Sequence, residues 1–287
     1  MDISVSAADS PLPGSTLPVS AFPGTAPVDR QMQARIHELW DALADFDASR
    51  TAEARSHLLT GICDLIGAKN AVWFGAVRLG EPHPEDPVRG WRPRSICQLR
   101  PTELIEQKAK EQADMMEAGE VDVTTLRNVA LAGRYRVNRL AELAPADWFE
   151  GNYYRVFYLG AGYRDAIWAG IPLNEDAETY FGFYRDVDQA PFAMADRDIV
   201  AYALRGLRWF YRLQMLSEGL SVASAPLTPT ERRVLQGLLQ GLTEKQIAAA
   251  VEQSPHTTHD HVKRIFRKYG VSSRHALMAL WLGRTPE

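Results

Sequence analysis

Residues 227–277 read LTPTERRVLQGLLQGLTEKQIAAAVEQSPHTTHDHVKRIFRKYGVSSRHAL, and helix punctuation decides their fold. Thr228 stands before Pro229, with Glu231 three residues on; Thr243 stands three before Gln246; Ser254 stands before Pro255. A hydroxyl at such a position accepts from an orphan N–H of the first turn, and a Glu or Gln three residues later bonds back. Proline at the first helical position loses no hydrogen bond. Gly270 is placed to stop the third helix, and VSSRHALMALWLG (residues 271–283) supplies a fourth. Only a few residues around Glu252–Ser254 separate the second and third helices, the spacing of a helix-turn-helix.

On a helical wheel, Val262, Ile265, Phe266 and Tyr269 form an inward stripe. His259, Lys263 and Arg267 lie four apart on another face, with Asp260 and Arg264 beside them. His256, His259, Asp260 and His261 raise the question of a metal, and His256 with Asp260 has the i, i+4 spacing. The neighbouring cations would repel a divalent ion and no second cluster completes a site, so no metal is expected. From residue 225 onward nine Lys/Arg face five Asp/Glu, a balance of +4. The rest carries 23 Lys/Arg against 31 Asp/Glu, or −8, within a net charge of −4. A basic tail on an acidic body points the tail at a polyanion. A capped helix pair with a basic outer face is built to lay a recognition helix in a major groove.

The segment resembles the C-terminal DNA-binding domain of LuxR/FixJ-type regulators. The resemblance rests on Leu227, Thr228, Glu231, Gly241, Leu242, Thr243, Ile247, Ala248, Ser254, Thr257, His261, Lys268, Gly270, Val271 and Arg274. It departs where Glu252 and Gln253 replace the usual turn Gly and Ile/Val, Thr258 replaces Val and His259 replaces a common Lys. The resemblance implies base reading by His259, Asp260 and Lys263. Lys263 can donate to guanine O6/N7 and Asp260 can accept from cytosine N4. Phosphate contact is expected of Lys245, Arg264, Arg267 and the capped starts at Thr243 and Thr257; Thr258 joins this DNA-binding set.

The 287 residues have room for two domains with real cores. Residues 1–27, rich in Pro, Ser, Ala and Gly, read as a disordered tail. A first domain is expected over 28–220, a linker over 221–226 (SVASAP) and the helix-turn-helix domain over 227–287. Periodicity predicts helices over 28–46 and 51–67, strands at NAVWFGAVRL and RSICQLR, and a charged helix over 102–118. DAIWAGIPL and TYFGFYR read as a hairpin, and one long helix is expected over 194–220. LLTGICDLIGAKNAVWFGAV and the closing AGIPLNEDAETYFGFYRDVDQAPFAMADRDIVAYALRGL resemble a GAF-like sensor domain. The expected fold class is therefore multidomain α+β: a GAF-like antiparallel sheet flanked by helices, then an all-α four-helix domain.

Cys63 and Cys97 form no CxxC and read as reduced, buried thiols of a cytoplasmic protein. No apolar run reaches a membrane span, and the N-terminus lacks the charged and apolar regions of a signal peptide. The body lacks the acidic pair, strand-end Asp and late Lys of a phosphoreceiver. Its aromatic segment superficially resembles acyl-homoserine-lactone receptors without their Trp-x-x-x-Tyr and Asp-Pro spacing. Trp148, Tyr153, Tyr154, Tyr158, Tyr163 and Trp168 are the candidate ligand-binding residues, against the alternative of plain core. The expectation is a transcription regulator, not an enzyme, with no cofactor. Its expected partners are double-stranded DNA, a small-molecule signal and a second copy of itself, and no membrane. The alternative is a regulator whose helix-turn-helix binds RNA polymerase or another activator, with weak DNA binding.

Overall fold

The computed structural model describes residues 28–78, 85–220 and 227–282; the expected tail (1–27) and linker (221–226) lie outside the described residues. Five strands form one antiparallel sheet: β1 (Asn70–Arg78), β2 (Trp91–Gln98), β3 (Arg136–Arg139), β4 (Tyr163–Pro172) and β5 (Ala177–Asp186). Their order is β2-β1-β5-β4-β3. The expected hairpin is β4–β5, in register at Gly170↔Tyr180 and Trp168↔Gly182. β2 begins three residues earlier than RSICQLR and includes Pro93. An edge strand with a bulge tolerates a residue without N–H, and the register slips there, from Gly75↔Ser95 to Ala76↔Pro93.

Alternation along the strands divides the body into two cores. Trp73, Ile167, Phe181 and Phe183 point into the larger one. It is covered by α1 (Arg30–Ala44), α2 (Thr51–Ile66), α7 (Met194–Arg205) and α8 (Arg208–Glu218). Each large apolar side chain fully buried there stabilises the fold by about 1.5–3 kcal/mol. On the opposite face, Phe74, Trp168, Tyr180 and Tyr184 meet two smaller clusters. That side holds α3 (Glu103–Glu117), α4 (Val123–Val129), α5 (Leu140–Leu143) and α6 (Asn152–Phe157). A buried network pins β3 to β5 there. Arg136 donates to both carboxylate oxygens of Glu178, at 3.1 and 2.8 Å, and to Asn128 Oδ1 at 2.7 Å.

The single helix expected over 194–220 is two, α7 and α8, broken at Gly206–Leu207. Tertiary donors replace the backbone at the break: Trp40 Nε1 donates to Ala203 O at 2.8 Å and Tyr211 Oη to Leu204 O at 2.6 Å. The Trp40 ring packs beside Gly206, within van der Waals reach of where a Cβ would stand.

The C-terminal part has the four expected helices: α9 (Pro229–Leu239), α10 (Glu244–Ala250), α11 (Pro255–Tyr269) and α12 (Arg274–Trp281). Thr228, Thr243 and Ser254 each cap a helix as their spacing implies, and Gly270 ends α11 at φ 65°. Val234, Leu238, Ile247, Val262, Ile265, Tyr269 and Leu277 form their core, which also takes in Leu216 from the end of α8. Glu252, in the turn before α11, adopts φ 57°, a left-handed conformation that favours glycine.

Candidate nucleic-acid interface and cavity

The core stripe of α11 turns the opposite side of that helix outward. Lys263, Arg264 and Arg267 are exposed there, as are Lys245 on α10 and the capping residues Thr243 and Thr257. His259 Nδ1 lies 2.9 Å from Glu244 Oε2 at the start of α10, and His256 Nε2 lies 3.9 Å from Asp260 Oδ2. His256 and His259 each lie near a carboxylate, whereas His261 Nδ1 is buried with no hydrogen-bond partner; the pairing of His259 with Glu244 was not legible from the helix alone. Thr258 departs from its expected place. It is 0 % exposed, packed where the helix meets its core, and its side chain does not reach the outer face. Among the described residues no group of three or more His, Cys, Asp or Glu could hold a metal ion.

Three ion pairs support this face from behind. Lys268 Nζ donates to Glu231 Oε2 at 2.7 Å, tying α11 to α9. Glu218, at the end of α8, accepts from Arg55 of α2 at 3.1 Å on one oxygen and from Arg232 of α9 at 2.9 Å on the other. Glu218 thus joins the body to the helix-turn-helix part. Tyr269 Oη donating to Leu216 O adds a second tie across the same junction.

The body holds a cavity of about 170 Å³ between the sheet and α3–α4. Tyr153, Tyr158 and Trp168 line it, and Tyr163 lines a smaller extension towards Lys108. Trp148 and Tyr154 are placed differently. Trp148 Nε1 donates to Asp122 Oδ2 at 2.7 Å and Tyr154 Oη to Arg164 O at 2.8 Å, and neither lines the cavity. The sequence reading missed Phe74, Trp91, Tyr180 and Tyr184. For Tyr180 and Tyr184 the signal lay in β5, where they alternate with Phe181 and Phe183 on the opposite face. Gly182 is required there: a Cβ would meet the Trp168 ring at 2.7 Å.

Residues 225–281 match the family described as GerE, bacterial regulatory proteins, luxR family. This segment is a luxR-family domain. The chain is 46% identical over 48 residues to the transcriptional regulatory protein UhpA of Escherichia coli (strain K12), and equally to that of Salmonella typhimurium (strain LT2). The match spans 17% of this chain and 24% of those curated relatives, about a quarter of their length. A solved structure of SdiA in complex with octanoyl-rac-glycerol aligns over 91% of this chain and 97% of its own, at 14% identity and a TM-score of 0.45. The VqsR LBD domain from Pseudomonas aeruginosa aligns over 66% of this chain and 98% of its own, at 11% and 0.41.

The matched family is described as one of regulatory proteins, and burial disfavours the thiolate at both cysteines of the body. Burial pushes the Cys63 thiol up to about 11, Arg100 offsetting only part of it, and burial also raises Cys97. No helix among the described residues is long and apolar enough to cross a membrane.

Within the luxR-family domain, burial raises the Glu231 carboxyl, but Lys268 and the Thr228 N–H more than offset it and hold the group below its usual value. A depressed carboxylate stabilises the fold fully above its unfolded pKa of about 4.3, and that contribution is lost as pH falls through the folded value. Wild type should therefore melt above Glu231→Gln at neutral pH, with the gap closing on acidification below about pH 4.3. Paired thermal melts check this; a gap that stays constant with pH would contradict it.

Proposed function

We propose that the chain is a cytoplasmic transcription regulator. Its luxR-family domain binds double-stranded DNA through α11, and its body, which we read as GAF-like, holds a small-molecule signal. The observation that carries this reading is the outward face of α11, where Lys263, Arg264 and Arg267 stand exposed on a helix capped and packed from behind. Lys263 reads a base edge, with Asp260 and His259 beside it. Lys245, Arg264, Arg267 and the caps at Thr243 and Thr257 take phosphates. We assign the protein as a homodimer, because paired half-sites need paired recognition helices.

Salt tests the DNA reading. Each phosphate neutralised contributes a slope of about −0.9 in log affinity against log salt, so the three cations assigned to phosphates, Lys245, Arg264 and Arg267, give about −2.7 per protomer. Arg267→Ala should flatten the slope by about 0.9 and weaken all sequences alike. Binding that does not respond to salt would sink the reading. A second reading has an observation of its own: Glu244, Glu252 and Asp260 place three carboxylates around the recognition helix. A protein partner such as RNA polymerase would then be the main target. Stable capture of purified polymerase, together with salt-insensitive, weak DNA binding, would favour it.

A further inference from the structure

The cavity of the body carries enough chemistry to name the class of molecule that fills it. We propose that it takes a small, flat, uncharged heteroaromatic of one or two rings, bearing an N–H beside a carbonyl, and not a long acyl chain. The proposal deepens the small-molecule reading given above and rests on it.

Size comes first. An enclosed space of roughly 150 Å³ accepts a single benzene, so about 170 Å³ suits one or two rings. The walls favour ring faces and edges. Phe74 and Tyr180 stack with centroids 4.8 Å apart and planes 6° apart, while Trp168 stands edge-on to Tyr184 at 5.8 Å and 89°. Such contacts add about 0.5–1.5 kcal/mol per aromatic pair beyond area burial.

Charge comes second. Among the lining residues Arg92, Glu120 and Asp122 carry charge. Arg92 is paired with Asp86 at 3.1 Å and Glu117 at 3.5 Å. Asp122 keeps its charge, but Thr124 N at 2.9 Å and Trp148 Nε1 at 2.7 Å already occupy its two oxygens. Glu120 is exposed to solvent. No open cation meets an anionic occupant and no carboxylate oxygen stands open to a cationic one, which favours a neutral occupant.

Hydrogen bonding completes the description. Gln98 Oε1 is buried and accepts from nothing, although Gln98 lines both the cavity and its extension. Tyr158 Oη accepts from Trp168 Nε1 at 3.3 Å and Tyr153 Oη from Gln112 Nε2 at 2.9 Å, so both keep an O–H to donate. Tyr184 Oη makes no hydrogen bond among the described residues. Burial pushes the ionisation of all three tyrosines up, which keeps them protonated donors. One open acceptor beside several open donors is the complement of an N–H next to a C=O. An unmade buried hydrogen bond is costly, so an occupant that completes this set is selected over a bare hydrocarbon.

The full chain is titrated calorimetrically with three probes: 2-quinolinone, naphthalene and octanoyl-homoserine lactone. The expected result is saturable binding of 2-quinolinone at least about tenfold tighter than naphthalene. Gln98→Met should remove that margin while leaving naphthalene unchanged, and Tyr184→Phe should reduce it. Equal affinity for 2-quinolinone and naphthalene would overturn the hydrogen-bonding assignment. Binding of the acyl lactone without 2-quinolinone would overturn the ligand class yet keep the sensor reading. Binding of none of the three to folded protein would overturn both.

Discussion

Replacing Glu218 by alanine is expected to destabilise the chain by about 3–5 kcal/mol, the cost of removing one partner of a buried ion pair. Glu218 is 4 % exposed and Arg55 7 %. The guanidinium left behind would keep Gln214 Oε1 at 3.0 Å and the Trp73 face at 4.6 Å, but no counter-charge. Arg232, with a third of its side chain exposed, can turn to solvent. The loss therefore falls mainly on Arg55. Replacing Arg55 and Glu218 together by methionine should recover most of the stability, because apolar substitutes of similar volume are often neutral. Denaturant melts of the two single variants and the double variant measure the coupling directly. Strict additivity of the single losses would show that Arg55 and Glu218 are not coupled across α2 and α8.

Lys263→Ala should weaken binding to a selected DNA site by about 1–3 kcal/mol and relax base choice at one position. The lysine is exposed on the middle of α11, so its loss should leave folding within about 0.5 kcal/mol of wild type. That separation makes the variant informative. An equal loss on selected and random DNA would reassign Lys263 to the phosphates. Selection from random sequence, with wild type and variant in parallel, gives both numbers.

The luxR-family domain was legible because its signals are local. A hydroxyl, a proline and a Glu or Gln within four residues define each helix start without knowledge of what packs on it. The body yielded less. α3 has no fully buried residue; its Ala109, Ala113 and Met116 face the cavity, so its partner in the fold is not revealed by its sequence. Residues 146–161 bury Trp148, Tyr154 and Tyr158 through a 3-10 turn and the short helix α6, each too brief to show a period. The break between α7 and α8 depends on Trp40, more than 160 residues away in sequence, and no window over 194–220 contains it. Of the aromatic residues singled out as a group, Tyr153, Tyr158 and Trp168 line the cavity, and sequence order could not separate them from Trp148 and Tyr154. Thr258 fails for a related reason: its hydroxyl suggests a surface, yet its position falls on the core side of α11.

The central claim is that the outward face of α11 carries DNA binding, and one measurement addresses it most directly. Wild type and the Lys263→Ala, Arg267→Ala double variant, both full-length and equally helical by circular dichroism, are titrated against DNA selected by wild type, over a series of salt concentrations. The expected result is an affinity loss on the order of a hundredfold and a salt slope shallower by about 0.9 or more. Two proteins with the same affinity and the same slope would contradict it.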